Sequence, residues 1–182
     1  MKVIAFAATN HSKSINKQLV EYAASLLTKV EVEIIDLNHY ELPLYGQDKE
    51  EELGHPKLAK AFIEKIANSD GIIISFAEHN GSYTVAYKNI FDWCSRIEPK
   101  VYQKKPMVLL ATSSGSAGAS SVLTTAVQSS PYFDGEVKAS LSIPSFFDNF
   151  DSKKQKLKHG ELDEKLRDAV SHLNLLSDNH SK

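Results

Sequence analysis

The chain has 182 residues, 42% of them hydrophobic and 24% charged, with a formal net charge of -2. That length fits one domain with a substantial core, and the near-neutral balance argues against a nucleic-acid binder driven by phosphate neutralisation. No stretch approaches the roughly 20 apolar residues that span a bilayer, so no membrane partner is expected. The N-terminus Met1-Lys2-Val3-Ile4-Ala5-Phe6 is broken too soon by Asn10-His11-Ser12-Lys13 to read as a signal peptide. The single cysteine, Cys94, cannot form an internal disulfide and fits a reducing compartment. The expected location is the cytoplasm.

In chain order, the first apolar run is Lys2–Ala8, followed by the polar loop Thr9–Ser14 and a helical stripe of Ile15, Leu19, Tyr22, Ala23 and Leu26. A second β-branched run, Val30–Ile35, ends at Asp36, and an irregular stretch, Leu42–Gly54, separates it from a helix marked by Leu58, Phe62, Ile63 and Ile66. The third run, Gly71–Phe76, leads through an Asn80-Gly81 turn, with Ser82 as a suitable helix cap, to a stripe of Ala86, Ile90, Phe91 and Cys94. The fourth run, Met107–Thr112, meets a loop of small residues and a weaker stripe within Ala117–Ser130. The fifth, Val137–Ile143, is followed by an irregular segment, Pro144–His159, and a closing stripe of Leu162, Leu166, Val170 and Leu173.

Runs such as Ile72-Ile73-Ile74 and Val108-Leu109-Leu110-Ala111 do not alternate with polar residues, the pattern of strands covered on both faces. Five strands, each followed by a helix, imply a parallel sheet with helices on both sides and right-handed crossovers. Ligands on open sheets of this kind bind beyond the carboxyl ends of the strands, which directs attention to the loops after strands one, three and four.

The first of these loops is dense in hydroxyl and amide groups and opens a helix, where free N–H groups and the helix dipole favour a phosphate. Capping of the helix by Ser12 or Ser14 accounts for part of the same composition. The loop lacks both G-x-x-x-x-G-K-[ST] and G-x-G-x-x-G. Asp36 therefore reads as an ordinary loop acid rather than a ribose ligand. Gly115-Ser116-Ala117-Gly118 is not a nucleophile elbow, and the seven histidines form no zinc signature. Cys94, on a helix face with Ile90 and Phe91, reads as a buried, inert thiol. The lysine run Lys153–Lys158 reads as a solvated loop.

Taken together, the loops resemble the NAD(P)H-dependent FMN reductase family, which includes quinone, chromate and azo reductases. The family's G-S-x-R-x-x-S-x-N loop corresponds to Ala8-Thr9-Asn10-His11-Ser12-Lys13-Ser14-Ile15-Asn16, and its Leu-Pro-x-Tyr segment to Leu42-Pro43-Leu44-Tyr45. Its T-P-E-Y-N-G-S motif corresponds to Phe76-Ala77-Glu78-His79-Asn80-Gly81-Ser82, with the Lys-Asn-x-x-Asp-Trp continuation intact at Lys88, Asn89, Asp92 and Trp93. The Ser-x-Gly-x-x-Gly loop runs from Ser113 to Gly118. Four departures stand out: Ala8 and Thr9 replace Gly-Ser, His11 replaces Arg, Ala77 replaces Pro and His79 replaces Tyr. The exchange at His11 trades a permanent, bidentate cation for a titratable group.

The resemblance implies a flavodoxin-like α/β three-layer sandwich over residues 1–182, a single domain with a five-stranded parallel sheet of order 2-1-3-4-5. It implies FMN as cofactor and NADPH or NADH as co-substrate. Hydride would pass from nicotinamide to FMN and on to a small-molecule acceptor such as a quinone, free flavin or azo compound. Thr9, His11, Ser14, Ile15 and Asn16 would hold the phosphate and ribityl chain. Ala77, Glu78, His79, Asn80 and Gly81 would border the isoalloxazine ring, with Ser113, Ser114 and Gly115 on its far side. No side chain is required as acid or base, and His79 is a candidate substrate contact. A homodimer or tetramer is expected on resemblance alone. Two alternatives share the fold: an electron carrier of the flavodoxin type, and an FMN-free regulatory protein. The near-neutral charge and the lack of a T-x-T-G-x-T loop count against the carrier.

Overall fold

The computed structural model describes residues 1–158 and 160–179, with the side chains of 175–179 left out of the account. His159, the last residue of the stretch expected to be irregular, lies outside the described residues. Strands β1 (Lys2–Ala8), β2 (Glu31–Ile35) and β3 (Gly71–Phe76) alternate with helices α1 (Ile15–Ser25), α2 (Gln47–Leu53) and α3 (Lys57–Ala67). A short hairpin, β4 (Glu78–His79) and β5 (Ser82–Tyr83), precedes α4 (Val85–Ile97). Then follow β6 (Lys105–Thr112), α5 (Ser120–Ser129), β7 (Gly135–Ile143) and α6 (Phe146–Asn149). A second hairpin, β8 (Phe150–Asp151) and β9 (Lys156–Leu157), leads into α7 (Gly160–Asn179).

The five principal strands form one parallel sheet in the order β2-β1-β3-β6-β7. Counted among themselves they are in the order 2-1-3-4-5, as the family resemblance implies. Every residue of β3 is buried, which explains its unbroken Gly-Ile-Ile-Ile-Ser-Phe run: neither face meets water. The strand period of two then divides the apolar residues between two cores. Ile4, Phe6, Ile72, Ile74 and Leu109 pack toward α3, α4 and α5; Val3, Ala5, Ile73, Val108 and Leu110 pack toward α1 and α7.

Two stretches expected to be irregular carry structure. Helix α2 forms inside Leu42–Gly54, yet it buries none of its residues, so it has no apolar stripe to read. Residues Pro144–Lys158 contain α6 and the β8–β9 hairpin, each too short to show a period. The lysine run lies at this second hairpin, where residues 152–156 are exposed and Leu157 is buried. Strands β6 and β7 begin at Lys105 and Gly135, each two residues before its apolar run, because they pair with each other there.

Candidate active site

At the carboxyl end of β1 the chain folds into a compact turn. Ser14 is the N-cap of α1, and its hydroxyl accepts from the N–H groups of Asn16 at 3.1 Å and Lys17 at 3.4 Å. The Ser14 N–H donates to His11 O, and the His11 N–H donates to Thr9 Oγ1. Among the described residues, no protein group accepts from the N–H of Asn10, Ser12, Lys13 or Ile15. Residues 10–13 are exposed, so the amides of Asn10, Ser12 and Lys13 and the His11 and Lys13 side chains lie on the solvent side at the positive end of the α1 dipole. Such a donor set suits a phosphate dianion. Ser14 is thus the capping residue, as one of the two serines was expected to be, and Ser12 is not.

After β3 the β4–β5 hairpin pairs Glu78 with Tyr83 and His79 with Ser82. Its turn places Asn80 at φ +52° and Gly81 at φ +76°, the double left-handed geometry of a two-residue hairpin loop. This is why Asn-Gly stands there: Asn tolerates that region and Gly enters it without cost. Ser82 pairs in β5 and does not cap α4. The cap is Thr84, whose hydroxyl accepts from Tyr87 N–H and donates to Ala8 O at the end of β1. After β6, residues 113–118 are held against the chain beyond β7, where Ser145 N–H donates to Gly115 O and Phe146 N–H to Ser113 O. Gly118 sits at φ +60° so close to β7 that a Cβ would lie 2.2 Å from Ser142 Oγ.

Two residues expected to touch a ligand make hydrogen bonds within the fold. Asn16 is only 2% exposed. Its Oδ1 accepts from Ser75 Oγ at 2.8 Å and Thr112 N–H at 3.1 Å, while its Nδ2 donates to Thr112 O at 3.0 Å. The side chain joins α1 to the ends of β3 and β6, spending its oxygen and one of its two N–H groups on that frame. Glu78 is likewise turned away from the turn it precedes, and its Oε2 accepts from Val122 N–H in the first turn of α5. His79, Asn80 and Gly81, with Ser114 and Gly115, remain exposed.

A cleft of about 410 Å³ opens beside these loops. Asn10 and His79 line it, together with Asn38, Glu41 and Leu44 from the chain after β2 and Val85 from the start of α4. Residues 113–115 do not line it, so the cleft lies on the β2 side of the hairpin rather than between the hairpin and the 113–118 loop. Its outer wall is a strap, Leu42–Tyr45, clamped to α4. Asn89 accepts from Tyr45 N–H and donates to Leu42 O and Pro43 O, and Trp93 Nε1 donates to Pro43 O at 2.8 Å. Two sequence motifs, Leu-Pro-x-Tyr and Lys-Asn-x-x-Asp-Trp, therefore meet as halves of one clamp. Leu44 and Val85 stand 72% and 69% exposed at the cleft's lip. Sequence reading missed Thr84 and this clamp, although a threonine directly before an apolar helix is a recognisable cap signal.

Charge is anchored near the first loop by Asp36, the residue after β2. Lys17 of α1 donates to its carboxylate at 2.8 Å, and with the Asn38 N–H this lowers the Asp36 pKa to about 2. Asp36 is the structural acid the sequence suggested. Burial pushes the Cys94 thiol up to about 12, the state of an inert thiol. Among the described residues there is no cluster of side chains suited to a metal, and no helix is long and apolar enough to cross a membrane.

Comparison with known proteins fits this arrangement. The family model described as NADPH-dependent FMN reductase matches residues 1–144. The chain belongs to that family. A 2-hydroxy-1,4-benzoquinone reductase from Burkholderia sp is 34% identical over 120 residues, covering 65% of this chain and 63% of that protein. An NADPH:quinone oxidoreductase from Arabidopsis thaliana is 30% identical over 122 residues, covering 65% and 61%. The chain thus spans less than two thirds of the length of these curated relatives. Among solved structures, the flavoenzyme NAD(P)H:(acceptor) oxidoreductase FerB from Paracoccus denitrificans aligns with a TM-score of 0.76 at 18% identity over 98% of each chain. That likeness concerns the fold.

The donor set fits the family's FMN. The exposed residues at the α1 N-terminus, His11 and Lys13 among them, suit its phosphate, with the buried Thr9 behind them; the Asn80–Gly81 turn is exposed as well.

Proposed function

We propose that this chain binds FMN and catalyses NAD(P)H-dependent reduction of a quinone or a similar small acceptor. The observation carrying this reading is the set of solvent-facing N–H groups between Thr9 and Ile15, held beside the Asn80–Gly81 turn by one buried polar frame. FMN, when bound, supplies the two-electron chemistry, and the protein supplies binding, orientation and electrostatics. The α1 N-terminus would hold its phosphate, with His11 offering a ring N–H and Lys13 a charge at its edge. The Asn80 and Gly81 amides face the pyrimidine edge of a flat ring, where N–H donors stabilise negative charge. Leu44 and Val85 shield the cleft mouth from water, and His79, exposed at its inner wall, contacts the acceptor. No side chain has to move a proton to carbon, so the site needs no nucleophile.

The names of the Burkholderia and Arabidopsis relatives support a quinone acceptor. We place the enzyme in the cytoplasm as a homodimer or tetramer, on the expectation from its family; sedimentation as a monomer would remove the assembly part. The decisive test is reconstitution with FMN, then stopped-flow mixing with NADH and NADPH, then quinone, free FMN and azo dye as acceptors. Bleaching of the 450 nm region (roughly the visible flavin band) by at least one nicotinamide, with return on adding an acceptor, is expected. Protein that binds FMN but is reduced by neither nicotinamide is an electron carrier, and protein that never takes up FMN is neither.

A further inference from the structure

Helix α5 begins without a cap of its own. Its N-cap residue is Ala119, at φ +60°, which has no side-chain hydrogen bond to offer. An uncapped helix start leaves N–H donors unsatisfied beside the positive end of the dipole. Here one donor is met from another part of the chain: Glu78 Oε2 accepts from Val122 N–H at 2.9 Å. A carboxylate at that point gains both the hydrogen bond and the dipole, so Glu78 is a cap supplied in trans to its own loop.

The contact also does something to the hairpin. Glu78 begins β4, directly before His79 and the Asn80–Gly81 turn; Tyr83 closes β5, with its hydroxyl 3.2 Å from Ser129 Oγ at the far end of α5. The two strands are therefore tied to the same helix at its first and last turns. A ribbon with two residues per strand has almost no stability alone. Its position is set by what it is tied to.

We infer that Glu78 is a positioning residue: its carboxylate caps α5 and thereby fixes the Asn80–Gly81 amides at the height a bound flavin ring requires. The inference rests on the FMN reading above. It gives Glu78 a role different from the ring contact suggested by the sequence motif. The carboxylate acts through α5 and the hairpin, and geometry matters more than charge. Shortening the side chain should then be as harmful as deleting it, whereas keeping its length with a neutral oxygen should be mild.

The test uses the full-length protein with Glu78→Ala, Glu78→Asp and Glu78→Gln, each checked for native circular dichroism. Amide exchange is measured without FMN, and FMN affinity by quenching of flavin fluorescence. In Glu78→Ala and Glu78→Asp the amides of Asn80, Gly81, Ser82 and Val122 should exchange faster, and FMN should bind about tenfold more weakly, the size of one helix cap. In Glu78→Gln both effects should stay within about threefold, because one oxygen acceptor of the right reach remains. If Glu78→Ala does not fold, the Asp and Gln pair makes the same distinction. Equal weakening by Gln and Ala with unchanged exchange at Val122 would mean that the carboxylate acts on the flavin directly, and the inference falls. Unchanged FMN affinity in all three variants overturns it as well. Failure of the wild-type protein to bind FMN would instead overturn the functional reading, while exchange at Val122 would still report on the cap.

Discussion

The loop after β1 and the hairpin after β3 use their polar residues in opposite ways. The first loop points its N–H groups and two basic side chains outward and is steadied from behind by Ser14 and Asn16. The hairpin exposes His79–Ser82, and its outermost carboxylate and phenol are turned back onto α5. One loop is a set of donors on a fixed mount; the other is a mount for two donors. A residue within a binding motif can therefore serve the backbone that binds rather than the ligand.

Breaking the mount of the first loop should have the largest effect. Asn16→Ala removes three buried hydrogen bonds and strands Ser75 Oγ and the Thr112 N–H, so a loss of about 3 kcal/mol of stability is expected in urea unfolding. FMN affinity should fall with it, since Thr112 ends β6 and Ser75 is next to last in β3, the strands that carry the other two loops. An unchanged unfolding midpoint would show that the frame is not where the loops are held. Next comes the tie between the two regions. Thr84→Val keeps the shape but loses the α4 cap and the bond to Ala8 O, for about 2 kcal/mol by the same measurement. A cost no larger than that of a surface substitution would uncouple the hairpin from the first loop.

The smallest effect belongs to charge. Lys17 holds the Asp36 carboxyl at about 2 in the folded chain, below its ordinary 3.8. A depressed carboxyl contributes stability above its unfolded pKa and loses it as pH falls through the folded value. Asp36→Asn should therefore cost about 1 kcal/mol at pH 7, discounted for the pair's partial exposure, and the cost should fade as pH falls through about 2. A difference that persists at low pH would assign the effect to the Asn38 hydrogen bond rather than to Lys17.

Much of the architecture was legible because it rests on pattern. The Ile72–Ile74 run declares a strand buried on both faces, and Asn80-Gly81 declares its turn by conformational need alone. Helix α2 was not legible: it carries Gln-Asp-Lys-Glu-Glu-Glu-Leu and buries nothing, so no periodicity marks it. Nor was the division of labour within the site. Asn16 and Glu78 look like ligand contacts in sequence because polar residues in a loop do not state which way they face. Only the approach of Thr112, 96 residues away, and of Val122, 44 residues away, reveals it. The cleft beside the hairpin was missed for the same reason, since its wall comes from the chain after β2.

The Leu42–Tyr45 clamp has a consequence for how this site can change. Every bond that Asn89 and Trp93 make to the strap reaches main-chain atoms of residues 42, 43 and 45, and none reaches a side chain. Position 44 is thus an interchangeable fitting on a rigid bracket. Its side chain can be swapped for a larger, smaller or charged one while the bracket keeps its shape. A lineage, or a mutant library, can retune what the cleft admits at this one codon without reopening the problem of folding.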